Sequence, residues 1–314
     1  MDAKGLASRI KKHGAKKVLV QVPEGLKMKA LNTIIVDELE REGISAILSA
    51  ETCYGACDLR DREAKALGCE LLVHIGHSDL GLKTAVPVIY EEYMIDLDIV
   101  PLLEKNSASL KKYKKIGLVT TLQYVNALES AKNYLESKQG GNKKVVVGIP
   151  EKAKHPGQVL GCDFSAALPA EETVDCFLFI GSGIFHPLGL AMKTDKPVIF
   201  IDVETEEVRE LKDERDKRLI IRSANLQRAM ECRNFGVLVS TKQGQLHVKA
   251  AELVKEKLKS KGRSAWIIAM DEIKPEKLLG LDLDCLVNCA CPRLTGDVSQ
   301  FKKPILDTDQ IEEL

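Results

Sequence analysis

One order of apolar runs and amphipathic stretches occurs three times in this chain, and that recurrence constrains the fold more than any other feature. A β-branched run, a short polar turn and a long amphipathic stretch appear as KKVLVQVPEGLKMKALNTIIVDELER from Lys16, KKIGLVTTLQYVNALESAKNYLES from Lys114 and NFGVLVSTKQGQLHVKAAELVKEKLKS from Asn234. Each reads as a strand followed by a helix. A second apolar run follows (SAILSA, VVVGIP, AWIIAM), then a third (CELLVHIGH, CFLFIGSGIFH, CLVNCACPR) and a fourth opened by proline (VPVIYE, KPVIFID, KPILD). Proline, which cannot donate to a ladder, is tolerated at a strand's first residue. Near-continuous apolar strands alternating with helices imply parallel sheets covered on both faces and joined by right-handed crossovers.

The expected fold is therefore α/β: three Rossmann-like parallel-sheet subdomains arranged as a pseudo-threefold internal repeat. The expected boundaries are residues 1–97, 98–207 and 208–314, each unit opening on a helix (ASRIKKHG, SASLKKYK, NLQRAMECR). The charged stretch ETEEVRELKDERDKR reads as a solvated linker helix. In such folds ligands sit outside the carboxyl ends of the strands. Three units about one pseudo-threefold axis would aim three sets of these loops at a common centre.

Composition narrows the partners. Lys+Arg (46) and Asp+Glu (46) cancel in a chain of 314 residues, so no overall field draws it to nucleic acid or to a membrane. The basic patches KKHGAKK and LKKYKK read as solvated helix ends. The N-terminal MDAKGLASRIKKHGAKKVLV lacks the apolar stretch of a signal peptide, and no window approaches the ~18 apolar residues of a membrane span. A cytoplasmic protein is expected. Nine cysteines, an odd number in a reducing compartment, do not suggest a disulfide framework.

The cysteines sort by position. Cys69, Cys176 and Cys285 open the third strand of each unit and read as small buried fillers, as does Cys232 at a helix end. Cys57 and Cys162 differ, since each follows a second strand in a glycine-containing loop and precedes aspartate (YGACD, VLGCD). The third unit has no cysteine there; Cys291 lies instead after the third strand, within NCACPR. All three loops belong to carboxyl ends of strands, so one thiolate per unit can reach the centre. Three thiolates suit a 4Fe-4S cluster with one open iron, whereas a structural zinc asks for four closed ligands. Cys53 and Cys289 remain rival ligands, and three free cysteines remain the plain alternative.

The segments NCACPRLTGD at 288–297 and FKKPIL at 301–306 resemble the C-terminal signature of the diphthamide-synthesis 3-amino-3-carboxypropyltransferases. ETCYGACD at 51–58, VLGCD at 159–163, GHSDL at 76–80 and STKQGQ at 240–245 resemble other parts of that family, so the likeness spans essentially the whole chain. It implies Cys57, Cys162 and Cys291 as ligands of a 4Fe-4S cluster that reductively cleaves S-adenosylmethionine. The 3-amino-3-carboxypropyl radical so formed adds to C2 of a histidine imidazole on translation elongation factor 2. The resemblance further implies a homodimer of the archaeal type, supplied by an electron donor protein. S-Adenosylmethionine enters only through this resemblance, because the C-x3-C-x2-C run of ordinary radical enzymes is missing and position 60 is Arg.

Other residues carry weaker expectations. The turn from Ser240 through Thr241, Lys242, Gln243 and Gly244 to Gln245 follows a strand and reads as opening a helix. There N–H groups and hydroxyls can hold the amino-acid end of the substrate, or a hydroxyl can simply cap the helix. Arg293 can pair with a carboxylate or close a salt bridge in its own loop. His77 and His186 follow third strands and can serve proton transfer, or hydrogen-bond a loop. His13, His74, His155 and His247 have no supporting constellation. Rival readings are a dehydratase resembling quinolinate synthase, which also joins three α/β repeats to an open-iron cluster, a non-catalytic cluster protein, and a nucleotide-binding module.

Overall fold

A computed structural model describes residues 2–27, 35–296 and 301–314. Part of the first amphipathic stretch and the end of the TGD segment lie outside these residues. Among the described residues there are three sheets, ordered β2-β1-β3-β4, β6-β5-β7-β8-β9 and β11-β10-β12-β13. The strands are β1 (Lys17–Gln21), β2 (Ser45–Leu48), β3 (Leu71–Ile75), β4 (Val88–Glu91), β5 (Lys115–Thr120), β6 (Lys144–Val146), β7 (Cys176–Gly181), β8 (Val198–Asp202), β9 (Glu207–Glu210), β10 (Asn234–Ser240), β11 (Ser264–Met270), β12 (Cys285–Asn288) and β13 (Ile305–Asp307). All pairings are parallel except β8 with β9. In every sheet the first strand lies between the second and the third.

Alternation along the strands explains why both faces are covered. In β7, Cys176, Leu178 and Ile180 enter one core cluster while Phe177 and Phe179 enter another. Likewise Val18 and Val20 face one cluster and Leu19 the opposite one, and Cys285 and Val287 oppose Leu286. Helices close these faces. Ala3–Lys12 is capped by the Asp2 carboxylate, which accepts from Gly5 N–H, and buries Leu6, Ala7 and Ile10. Val248–Ser260 buries Ala251, Val254 and Leu258. The prolines sit one residue ahead of the fourth strands, and their carbonyls accept from Leu72, Phe177 and Leu286.

Two expectations need correction. ETEEVRELKDERDKR is not one helix: Glu207–Glu210 forms β9, antiparallel to β8. Val208 packs on the core while the Arg209 guanidinium lies 5.7 Å from the Phe200 ring centroid, so this short segment has two useful faces only when extended. The helix then runs unbroken from Lys212 to Met230, taking in most of the segment expected to open the third unit. The second correction concerns the STKQGQ turn. It leads into a 3-10 turn at Gln243–Gln245, and the α-helix starts only at Val248, so no hydroxyl of the turn caps it.

Candidate metal centre

Each of the three singled-out cysteines is carried by its own built turn. Asp58 N–H donates to the Gly55 carbonyl at 3.0 Å, closing the turn that presents Cys57. Leu160 and Asp163 exchange backbone hydrogen bonds (2.9 and 3.2 Å), which puts Gly161 and Cys162 at the tip of a two-residue turn. A Cβ on Gly161 would lie 2.4 Å from the Phe185 ring, so glycine there lets that ring pack against the turn. In NCACPR, the Asn288 side chain accepts from Ala290 N–H and donates to the Cys291 carbonyl, both at 3.0 Å. One amide thus clamps the loop after β12.

Burial raises all three thiols. Burial, with smaller pushes from Cys291 and Cys162 and against the hydrogen bond from Gln245, raises the Cys57 thiol to about 11. The Cys291 thiol is raised by burial and by Cys162, against the nearby Arg293 backbone, Arg293 guanidinium and Lys242 ammonium. The Cys162 thiol is also raised by desolvation, though its residue is exposed. Loops from all three sheets therefore converge. Cys69, Cys176, Cys232 and Cys285 are buried in the cores. The rivals Cys53 and Cys289 are each only 4% exposed. All nine cysteines are free.

The STKQGQ turn presses directly on the Cys57 loop. Gly244 N–H donates to the Cys57 carbonyl at 3.0 Å, and Gln245 Nε2 lies 3.5 Å from Cys57 Sγ as a donor. A Cβ at Gly244 would sit 2.5 Å from Cys57 Cα and Cβ, so only glycine permits this approach. Lys242 Nζ meets Asp58 Oδ2 at 2.6 Å, both side chains nearly fully buried. Lys242 N–H donates to Ser240 Oγ, Ser240 Oγ donates to the Asp271 carbonyl, and Gln245 N–H donates to the Lys242 carbonyl. The N–H groups of Lys242, Gly244 and Gln245 are thus engaged within the protein. They are not open to a carboxylate; this turn clamps the Cys57 loop. Thr241 is buried, and Gln243 Oε1 is buried without a hydrogen-bond partner among the described residues.

Around this centre stand candidates named from the sequence, Arg293, His77 and His186, together with Tyr54, Arg60 and His74, to which sequence patterns assign no role. The Tyr54 ring lies between Lys242 (5.0 Å) and Arg293 (5.1 Å), and Arg293 also stacks over Phe185 at 5.4 Å. Arg60 bonds Asp271 at 2.9 Å and faces Asp58 at 3.6 Å. His77 and His186 lie close enough that each matters to the other or to Arg293, and burial pushes both imidazoles down to about 4. His74, expected to stand alone, is fully buried against Gln21 and His77. A cleft of roughly 790 Å³ opens beside Cys162 and Arg293, within the size range of small-molecule sites.

The donor set fits a thiolate-bound cluster. Three thiols come from three separate loops, an N–H aims at one sulfur, and Lys242 and Arg293 bring positive charge to offset an anionic group. Among the described residues, the one set of three ligand types tight enough for a single ion is Cys53, His74 and His77, not this trio.

The sequence profile of the diphthamide synthesis protein family matches residues 22–312. A 2-(3-amino-3-carboxypropyl)histidine synthase of Pyrococcus horikoshii is 40% identical over 312 residues, covering 98% of this chain and 88% of its own. Subunit 1 of the corresponding synthase is 30% identical in Caenorhabditis elegans (95% of this chain, 75% of that protein). In Gallus gallus subunit 1 is 32% identical (95% and 72%). The crystal structure of Dph2 from Pyrococcus horikoshii with a 4Fe-4S cluster aligns with a TM-score of 0.92 at 38% identity, over 100% of this chain and 90% of that one.

Proposed function

The chain belongs to the diphthamide synthesis protein family, and on that premise we propose that it transfers a 3-amino-3-carboxypropyl group from S-adenosylmethionine to C2 of a histidine imidazole on translation elongation factor 2. Cys57, Cys162 and Cys291 hold a 4Fe-4S cluster in this reading. The observation that carries it is the convergence of the three cysteine loops, with Gly244 of the third unit pressed on the Cys57 loop and Cys162 sharing one cleft with Arg293, in a relative of a protein crystallised with that cluster. Bound there, the cluster supplies the electron that opens a sulfonium carbon–sulfur bond. The chain itself supplies placement. Gln245 and the Lys242–Asp58 pair fix the Cys57 loop, while Arg293, which lines the cleft, offers the substrate a cation, and Gln243 carries a buried amide oxygen without a partner among the described residues. Thr241 and Ser240 shape the turn beneath them.

The fold has three units about a pseudo-threefold axis, supported by the shared strand order. Their division falls at 97/98 and near 208, with the second boundary placed after Glu210 because β9 belongs to the second sheet. The working form is a homodimer that takes electrons from a donor protein. Among the described residues no helix is long and apolar enough to cross a membrane, and a cytoplasmic location is part of the same proposal. The test is anaerobic reconstitution with iron and sulfide, then dithionite, S-adenosylmethionine and elongation factor 2. The factor should gain the mass of one 3-amino-3-carboxypropyl group at a histidine. A protein that stays colourless and iron-free, or leaves the factor unmodified, overturns the proposal, and the dehydratase reading would then be assayed.

A further inference from the structure

The transfer proposed above releases one proton. A sulfonium cation and a C2–H bond become methylthioadenosine, a C2–C bond and H⁺, with no net electron consumed. When the new bond has formed, C2 of the resulting radical carries both its hydrogen and the added group, and aromaticity returns only when that hydrogen leaves as a proton and one electron leaves too, replacing the electron that opened the carbon–sulfur bond. An acceptor must have an unprotonated nitrogen or oxygen in place beforehand.

A chain of hydrogen bonds running inward from the Cys57 loop decides which nitrogen of His77 is free. Gln21 is fully buried at the end of β1. Its Nε2 lies 2.6 Å from the Asp58 carbonyl, which can only accept, and its Oε1 lies 3.2 Å from Arg60 N–H, which can only donate. These two backbone groups leave the amide a single orientation. Gln21 Oε1 is also 3.0 Å from His74 Nδ1, so Nδ1 must carry the hydrogen. In the neutral ring His74 Nε2 is then an acceptor, and at 3.0 Å it takes its hydrogen from His77 Nδ1. His77 is left with a bare Nε2, to which nothing among the described residues hydrogen-bonds. Burial drives both rings far toward the neutral form that this logic requires. His77 is half-buried rather than sealed, and it is within influence of His186, which in turn is within influence of Arg293.

We propose that His77 Nε2 takes the proton released from C2 of the acceptor imidazole, and that Gln21 and His74 are positioning residues that hold His77 in the tautomer with this nitrogen unprotonated. The same three ring and thiol groups, Cys53, His74 and His77, are compact enough for one metal ion. Gln21 and His77 occupy both nitrogens of His74, one of which such an ion would need, so metal binding there is the contrary outcome.

The inference rests on the transferase reading, and its test separates the two. Long-range ¹H–¹⁵N spectra of the full chain labelled at histidine should show His77 Nδ1 protonated and Nε2 bare, with resonances assigned through His77→Gln and His74→Gln. The opposite tautomer, or retention of zinc by wild type that Cys53→Ala abolishes, overturns the proposal. In the anaerobic assay, His77→Ala should still release methylthioadenosine but modify the factor about 10²-fold more slowly, the lower end for loss of a positioned base. Added imidazole should restore part of that rate. Modification by His77→Ala at the wild-type rate sinks the inference alone. Wild type that neither cleaves S-adenosylmethionine nor modifies the factor sinks the transferase reading and leaves the tautomer to the spectra. Gln21→Glu, which keeps an acceptor for His74, should retain coupled transfer, whereas Gln21→Leu should behave like His77→Ala. Equal coupling in both variants would also count against the proposal.

Discussion

Removing both partners of the Lys242–Asp58 pair should cost clearly less than the two single removals added together. The two charges lie 2.6 Å apart with side chains 4% and 1% exposed. At an effective dielectric of ~20, charges at that separation attract by about 6 kcal/mol. Withdrawing two ions from water costs several kcal/mol each, so the intact pair is worth little net stability. A lone buried charge is another matter, at about 3–5 kcal/mol. Asp58→Asn strands the Lys242 ammonium with the Tyr54 ring at 5.0 Å and the more distant Glu272 carboxylate for compensation, and should reach that range. Lys242→Met leaves Asp58 facing Arg60 at 3.6 Å, so its loss should be smaller, about 2 kcal/mol. The double variant should recover part of the summed loss, with a coupling of at least ~2 kcal/mol, since the residues are in direct contact. Guanidinium denaturation can be followed at the single tryptophan, Trp266 in β11, which lies in the same sheet as the Lys242 turn. Single-variant losses that simply add within about 0.5 kcal/mol would refute the reasoning.

Further outcomes follow from the same site. Gly244→Ala places a Cβ 2.5 Å from Cys57 Cα, so it should destabilise by about 1–3 kcal/mol and reduce bound iron, measured by melting and metal analysis. Alanine at Cys57, Cys162 or Cys291 should abolish the reconstituted cluster's absorption and EPR signals, while Cys53→Ala and Cys289→Ala should keep them. His74, His77 and His186 are held below their ordinary value of 6.5, down to about 3, 4 and 4. Below pH 6.5 the unfolded chain therefore binds protons first. Their contribution is complete above 6.5 and shrinks on acidification toward 4, by at most about 1.4 kcal/mol per pH unit per histidine. A stability profile flat from 7 to 4.5 would contradict this.

Much of the fold was legible because apolar periodicity reports burial directly. Strands β1–β8 and β10–β13 coincide with the repeated runs. β9 escaped notice because four residues rich in charge look helical until β8 offers them an edge. That the Cys57, Cys162 and Cys291 loops follow strands was readable from the apolar runs; their role as ligands is what the family resemblance implies. Lys242, Gln21 and His74 were not, since each gains meaning only across a gap of 184, 37 or 53 residues. A signal existed for Lys242: it is a lysine amid small polar residues that the fold buries. Nothing marked Gln21, one polar residue ending an apolar strand. The STKQGQ turn has a role that its sequence does not announce, since the N–H groups of Lys242, Gly244 and Gln245 are engaged within the protein and grip the Cys57 loop.

The ties between the first and last sheets have a consequence for biogenesis. Tyr54 reaches Glu272, Arg60 reaches Asp271 and Asp58 reaches Lys242, contacts that span 218, 211 and 184 positions along the chain. A ribosome would have to deliver nearly the entire polypeptide before the Cys57 turn acquires its clamp. Cofactor loading should accordingly be post-translational, and a fragment ending before Asn234 should emerge without metal however well its own sheets fold.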